Sequence, residues 1–543
     1  LLALYPSNKL EHLSYLLSSL LKHQGISDGP VSLFRPQTIL VESPGMQHWL
    51  NMALAEEHTV AMNLSFPLPV RFMWDTARQI LGEHRVPKQS AYRREVLVWR
   101  IDAIIRSDAF SASAEAKTVN RYWRDIDNED EASLQRLQLA TALADVYEQY
   151  LLFRPQWLFA WENGESAETG SDDEAWQASI WRMLVAEEAD HPARLHADAV
   201  EALCNGEAVN TLPDNIIVFA INTMAPQLIQ FLDALGRHID IHVFHLNPSV
   251  NYWGDVKSNK EQARLLREEG LTQWQESRQD NPLLGNLGQQ GRDLFNLLTP
   301  LESYEVSAFE LDAPGEGDAQ QSLLHALQQD IFNAIAPDGG FQYDTADTSV
   351  SVCSAHTTLR EVEALHDYLL GLMQAGDDTS DVLKPSDVVV MCPAIEEYAP
   401  FIEAVFHRVG APESHDQAPP RIPCSIADRA PLDAEPMIAA FMQLLSLPDS
   451  RFEVSQIIDY LRLEPVQRKF RLNGDDIELM SQWLHQAHVH WGRDKTHKSR
   501  LLNAEVSETF SWAWGLKRLL LGMTMADSPQ FVNDLLTVPE VEG

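Results

Sequence analysis

The chain has 543 residues, 45% of them hydrophobic and 22% charged, proportions that exclude disordered, collagen-like or coiled-coil accounts of the whole chain. At roughly 150 residues per domain, three or four domains are expected. Its 41 basic and 79 acidic residues leave a net charge of −38, which repels nucleic acid and acidic membranes at long range without forbidding an internal DNA groove or a basic partner.

Taken in chain order, short apolar or β-branched runs bounded by Pro, Asp, Asn or Ser predict strands at residues 2–5, 38–41, 216–221, 239–246, 349–354 and 387–392. Helical patterns lie between them, beginning with Leu10, Leu13, Leu17 and Leu20 on one face. Strands alternating with helices imply parallel α/β sheets covered on both faces. Two stretches break the alternation and read as wholly helical, about 72–208 and about 434–536. In the first, Leu97, Ile101, Ile104 and Ile105 share a face, as do Leu139, Leu143, Val146 and Tyr150, and Pro155 ends the second of these helices. Exposed loops are expected at 162–174, 314–319 and 410–423.

The longest apolar runs are too short to span a bilayer, and the N-terminus lacks the basic lead and apolar core of a signal peptide, so a soluble intracellular protein is expected. The cysteines Cys204, Cys353, Cys392 and Cys424 are scattered and form no CxxC, which argues against a zinc knuckle or disulfide framework. With no initiator Met, and a stop at Gly543 just after an apparent helix, the sequence reads as a piece of a longer chain.

No catalytic pattern stands out. ATP hydrolysis by the common route needs a glycine-rich phosphate loop with a Lys. The residues after the first strand are instead Tyr5-Pro6-Ser7-Asn8-Lys9, and no Gly-Lys pair occurs anywhere. Asp214 with Asp255 and Lys257 imitates a metal-dependent nuclease motif, but Tyr252-Trp253-Gly254 is a poor strand context and the match reads as chance. His485, His488 and His490 are spaced so that one helix face would not gather them, which favours solvation or packing over metal ligation. The tryptophans are dispersed and read mostly as packing, although single-strand readers stack bases on such rings.

A family signal appears in Arg360-Glu361-Val362-Glu363, Pro385-Ser386-Asp387-Val388-Val389-Val390-Met391 and Phe401-Ile402-Glu403-Ala404. This region resembles the start of the second motor domain of superfamily 1 helicases. The run Ile39-Leu40-Val41-Glu42-Ser43-Pro44-Gly45-Met46 is similar to their single-strand-touching motif. A helicase-like chain without the ATP loop resembles the RecC subunits of exodeoxyribonuclease V (RecBCD). Further matches run along the chain, at Asn63-Leu64-Ser65-Phe66-Pro67, Gln149-Tyr150-Leu151, Tyr252-Trp253-Gly254-Asp255 and residues 444–452. The resemblance covers all parts of the sequence and identifies it with the N-terminal half of such a subunit.

The resemblance implies an α/β fold of inactive, P-loop NTPase-like parallel-sheet domains with large helical insertions. Residues 1–75 and 209–345 would form the first helicase-like domain and 76–208 its insertion. Residues 346–432 would begin the second domain, and 433–543 would form an incomplete helical region. It further implies a non-catalytic subunit in the bacterial cytoplasm, associated with the nucleoid, that acts in double-strand break repair by homologous recombination. Such a subunit splits duplex DNA and guides the 3′-ended strand through a channel that scans for the Chi octamer. RecB and RecD would be its partners and would bind ATP and Mg²⁺, leaving this chain without metal or cofactor.

Channel-lining positions implied by the resemblance are Leu68, Trp74, Asp145, Glu148, Gln149 and Arg154. Asp145, Glu148 and Gln149 also stand at i, i+3 and i+4, where one helix face presents all three. On the residues alone a solvated polar face is the simpler reading. Glu42, Pro44 and His48 occupy places where the family pattern has two amides and a hydroxyl, which implies a different Chi-like sequence or none. An active helicase or nuclease with an unrecognised site, and a scaffold that never meets DNA, are the alternatives left open.

Overall fold

The computed structural model describes residues 1–27, 36–123, 129–167, 172–207, 212–269, 281–309, 322–337, 339–342, 344–375, 383–406, 422–427, 435–525 and 528–538. The chain divides into two compact units, Leu1–Ser351 and Val352–Gly543. The expected loop at 314–319 and most of that at 410–423 lie outside the described residues.

The first unit is built on a parallel sheet of strands β1 (Leu2–Ser7), β2 (Gln37–Leu40), β3 (Leu64–Ser65), β4 (Asn215–Phe219), β5 (Asp240–Leu246) and β6 (Tyr304–Glu305). Their order is β3-β2-β4-β5-β1-β6, with every neighbouring pair parallel. Four of these were predicted. The two-residue edge strands β3 and β6 carry too little pattern to announce themselves. Because side chains alternate along a strand, Ile216 and Val218 face one layer of helices while Ile217 and Phe219 face the other.

Helices α1 (Leu10–Ser27) and α2 (Pro44–His58) cover the second of these faces, where Leu13 and Leu17 are fully buried beside Ile39, Val41 and Phe244. Helices α3 (Pro69–Leu81), α8 (Pro192–Cys204) and α9 (Pro226–Gly236) cover the other. The architecture is therefore mixed α/β, with a parallel sheet and a helical insertion.

That insertion contains α4 (Arg94–Arg106), α5 (Glu129–Phe153), α6 (Pro155–Glu162) and α7 (Asp172–Glu187) around a core of its own. Leu97, Ile101, Ile104 and Ile105 are all buried, as their spacing predicts. On α5 the inward face is shifted from the predicted one. Ala132, Ala140, Leu143, Ala144, Tyr147 and Leu151 are its buried residues, while Leu139, Val146 and Tyr150 are only partly covered. Alanines pass unnoticed in a search for large apolar residues, yet they let α4 approach α5 closely. Pro155 ends α5 and supplies the first turn of α6, where its missing amide proton is harmless.

The expectation of strands at 349–354, where the division between the units falls, and at 387–392 in the second unit is not met. Both segments run without ladder partners among the described residues, and Val352 and Met391 are 96% and 90% exposed. A strand is a property of a pair, and an apolar run without an adjacent ladder leaves its backbone groups to water. Thr358–Ala375 and Ile395–Phe406 instead form a helix pair around Val362, Leu369, Val405 and Phe406. A further helical cluster packs Ile458, Ile477, Leu484, Val489 and Val538. There Arg518 is buried and donates to the carbonyls of Ala487 at 2.8 Å and Leu536 at 2.7 Å. Gly515 is required, since a Cβ there would come within 2.2 Å of a Val489 methyl.

Candidate nucleic-acid interface

In a parallel sheet all strands end at one edge, and in open α/β sheets that carboxyl edge is where ligands bind. Glu42 follows β2 by two residues, and its Oε2 accepts the Asn222 amide at 3.2 Å, joining the loops after the neighbouring strands β2 and β4. Pro44 opens α2 and is exposed, with Ser43 capping the helix by accepting from the Met46 amide. His48 lies exposed on the following turn. Leu68 follows β3 and precedes α3, half-exposed, and Trp74 on α3 packs against the sheet core with part of its ring accessible. Four of the nine expected residues, Glu42, Pro44, His48 and Leu68, thus follow the carboxyl ends of β2 and β3, which pair with each other.

The α5 residues are tied to the same edge by a buried polar junction. Gln227, in the first turn of α9 beyond β4, donates its side-chain amide to the carbonyl of Leu151 in the last turn of α5. His196 of α8 in turn contacts the Gln227 carbonyl at 2.8 Å. Burial holds the His196 imidazole below its ordinary pKa, keeping it neutral in this contact. The Gln227 contact thus fixes the last turn of α5, where its orphan carbonyls would otherwise need water. Separately, Arg85 joins the segment after α3 to α8 and the turn before it, donating to Asp190 at 2.9 Å and Asp198 at 2.7 Å.

Glu148 and Gln149 are exposed on this helix. Asp145 is not free, because Arg94 at the start of α4 grips it with Nε and with Nη2, the latter at 3.2 Å. These hydrogen bonds and the Asp145 charge raise the Arg94 guanidinium above its ordinary pKa. Arg154 lies between α5 and α6, exposed, with its guanidinium 5.7 Å from the Trp157 ring centre. Such a face offers carboxylate acceptors, an amide of mixed character and a cation, the groups that read base edges and grip phosphates.

Sequence reasoning missed Arg94, Asn222 and Gln227. Arg94 lies 51 residues from Asp145, and no spacing rule reaches that far. Trp99, on α4, is 65% exposed and departs from the general reading of the tryptophans as packing.

The nuclease-like triad does not form a metal-site cluster. Asp214 precedes β4 at the amino edge, whereas Asp255 and Lys257 follow β5 beyond its carboxyl end. Between them Val256 is buried, and its carbonyl accepts from Arg292. His485, His488 and His490 do line one open cleft of about 480 Å³, because the helix Gly474–Gln486 ends there and His488 turns the chain with a φ of 51°. Among the described residues, no group of three or more His, Cys, Asp or Glu could hold a metal ion. No helix there is long and apolar enough to cross a membrane.

At the place of a phosphate loop, Ser7 is buried, its hydroxyl accepts the Lys9 amide at 3.2 Å and its carbonyl accepts the Asn247 amide at 2.9 Å. Glu11 then stands exposed in the first turn of α1, a charge of the wrong sign for a phosphate at a helix N-terminus.

Comparison with known proteins adds independent findings. Residues 2–334 match the family described as RecC, N-terminal domain, and residues 434–543 match that described as RecBCD enzyme subunit RecC fourth domain. The RecBCD enzyme subunit RecC of Escherichia coli (strain K12) is 32% identical over 588 aligned residues, covering 100% of this chain and 50% of the relative. That of Haemophilus influenzae is 29% identical, covering 98% and 49%. That of Mycobacterium tuberculosis (strain H37Rv) is 29% identical, covering 95% and 46%. The chain spans about half the length of the curated relatives it matches.

Proposed function

Since the chain belongs to the RecC family, we propose that it is the strand-guiding, non-catalytic subunit of a RecBCD-type helicase–nuclease. The observation that carries this reading is similarity along the whole chain to a RecBCD enzyme subunit, at 32% identity. The fold supports it in detail. A parallel sheet interrupted by a helical insertion fits a superfamily 1 helicase-like domain, and the Ser7–Glu11 segment is unsuited to hold a triphosphate. ATP and Mg²⁺ then belong to partner subunits of the RecB and RecD kind.

In this reading the arriving duplex is split and its 3′-ended strand passes the carboxyl edge of the sheet. Pro44, His48 and Leu68 form one side of the path there, with Glu148, Gln149 and Arg154 of the insertion near its other side. A net charge of −38 keeps the exterior from holding stray DNA. Exposed groups on α5 then sample base edges as the strand moves, and an octamer that satisfies them pauses the complex, which is Chi scanning. The reading places this activity in recombinational repair of double-strand breaks, in the bacterial cytoplasm at the nucleoid. The changed Glu42, Pro44 and His48 loop alters the octamer read.

The test is to reconstitute the protein with its RecB- and RecD-type partners and map cleavage products on DNA carrying a randomised octamer. Enrichment of one sequence near the 3′ ends, relaxed by Gln149→Ala or Arg154→Ala, is the expected result. Uniform products with the wild-type complex would overturn the scanning role.

A further inference from the structure

Toward the start of α5 the insertion carries an open, mostly apolar slot of about 280 Å³. It is lined by Val119 and Tyr122 at the short helix Ala116–Asn120, by Leu139 and Ala142 of α5, and by Trp176 of α7. Tyr122 is 62% exposed, and Ala142 is exposed as well, so α5 places no larger side chain there. Leu134, one turn before Gln138 of the lining, is a further apolar residue on this surface, 54% exposed. Aromatic and apolar side chains left in water around a cleft mark an interaction surface. Pockets for small molecules run to about 300–1,000 Å³, so this slot suits one inserted side chain, the anchor of a protein interface.

The surrounding charge selects the occupant. Glu129, Asp130 and Glu131 are exposed in the first turn of α5, about 11–14 Å along the helix from Gln138. Asp173 is exposed at the slot itself, where it accepts from the Trp176 indole at 3.2 Å. Of the nearby cations, Arg136 donates to Glu129 at 3.0 Å and lies over the Trp123 ring, which leaves Lys117 and Arg121 on the side of the short helix. A phosphate backbone would meet these carboxylates as like charges, whereas Lys or Arg would meet them as partners.

We propose that the slot is a docking site for a basic segment of a partner protein. The segment inserts one large apolar side chain beside Tyr122 and Trp176. A Lys or Arg three or four residues away, the reach of an extended chain over about 11–14 Å, lies against the first turn of α5. This inference goes beyond the strand-guiding reading and stands without it, because it involves no contact with DNA.

The test is anisotropy titration of the full chain with labelled peptide mixtures of about nine residues, long enough to span from the slot to the acidic turn. The central residue is Trp, Phe, Leu or Ala in turn. The flanks are randomised over Lys, Arg, Ser and Gly in one set, and over Asp, Glu, Ser and Gly in the other. The basic mixtures centred on at least one of the three large residues should bind about ten-fold or more tightly than those centred on Ala, and raising the salt should weaken them. Ala142→Arg, which fills the slot with a like charge, should remove that advantage, and so should Tyr122→Ala in part. Ala142→Ser should keep it. Glu131→Lys should weaken the basic mixtures several-fold while leaving the preference for a large centre intact.

Equal binding of the Ala-centred and large-centred mixtures, including no binding by any, would overturn the proposal. So would acidic flanks that bind as well as basic ones, or an advantage that survives both Ala142→Arg and Tyr122→Ala. Oligothymidylate that displaces the peptides and loses affinity in Tyr122→Ala would make the slot a base-stacking site, and the peptide reading would fall.

Discussion

His245 sits in β5 beside Pro6 of β1, 7% exposed, and its Nε2 finds no hydrogen-bond partner among the described residues. Burial holds its pKa down to about 4. Between that value and the ordinary 6.5, the unfolded chain binds a proton that the folded one refuses. Stability therefore falls as pH falls through this window, by about 3 kcal/mol for a group shifted this far. Glu162 acts in the same direction. Burial pushes its carboxyl up, but the contacts from His191, Trp181 and Arg194 outweigh it and hold the group below its usual range. His191 Nε2 lies 2.8 Å from Glu162 Oε1, and Trp181 donates to Glu162 at 3.1 Å. That stabilisation is present above the ordinary carboxylate pKa and is lost as pH falls through the lowered one. The melting temperature should decline from pH 6.5 to pH 4, and His245→Leu should decline less, as read by calorimetry. Parallel pH profiles for the two proteins would contradict the assignment. None of this was legible in the sequence, where His245 is only a polar residue within an apolar strand and Glu162 the first residue of an expected exposed loop.

At the scale of elements, the sheet was readable because four of its strands carry short apolar runs, of Leu and Ala in β1, Ile and Leu in β2, and Ile, Val and Phe in β4 and β5. The candidate site was half readable. Asp145, Glu148 and Gln149 share a face because helical spacing is local, but what each one does depends on α4 and α9, which arrive from distant sequence. The strands expected at 349–354 and 387–392 fail for the complementary reason, since their runs are apolar enough but no neighbouring ladder is present among the described residues. The join between the sheet and the insertion also depends on long-range contacts. Gln227→Leu should leave the Leu151 carbonyl buried and unpaired, at about 1–3 kcal/mol. Hydrogen exchange should then speed up over the last turns of α5 while the β4 and β5 amides remain protected. Equal loosening of both would mean that Gln227 supports the whole unit and does not specifically hold α5.

The molecule as a whole combines a strongly acidic field with a sheet edge and a helix face that present both acceptors and cations. That combination suits a strand that must move through, because tight and sequence-blind phosphate binding would stall it. The same charge makes an all-purpose DNA-binding surface a poor description of the protein. The second unit contributes a different surface, since Met437, Phe441 and Leu445 at successive turns of Pro436–Ser446 are each more than half exposed. The family assignment covers both units, and it was legible from short motifs spread over the chain.

The claim that most needs a direct measurement is that the carboxyl edge and the α5 face lie along the path of the strand. A photo-crosslinking amino acid at Gln149, at Leu68 or, as a control, at the highly exposed Leu287 would be placed in a complex reconstituted with the proposed RecB- and RecD-type subunits. Translocation on end-labelled duplex would then be stopped in mid-course and the crosslinks mapped. The account predicts crosslinks from Gln149 and Leu68 to the 3′-ended strand and none from Leu287. Crosslinks to the 5′-ended strand, or yields at Gln149 and Leu68 no higher than at Leu287, would contradict it.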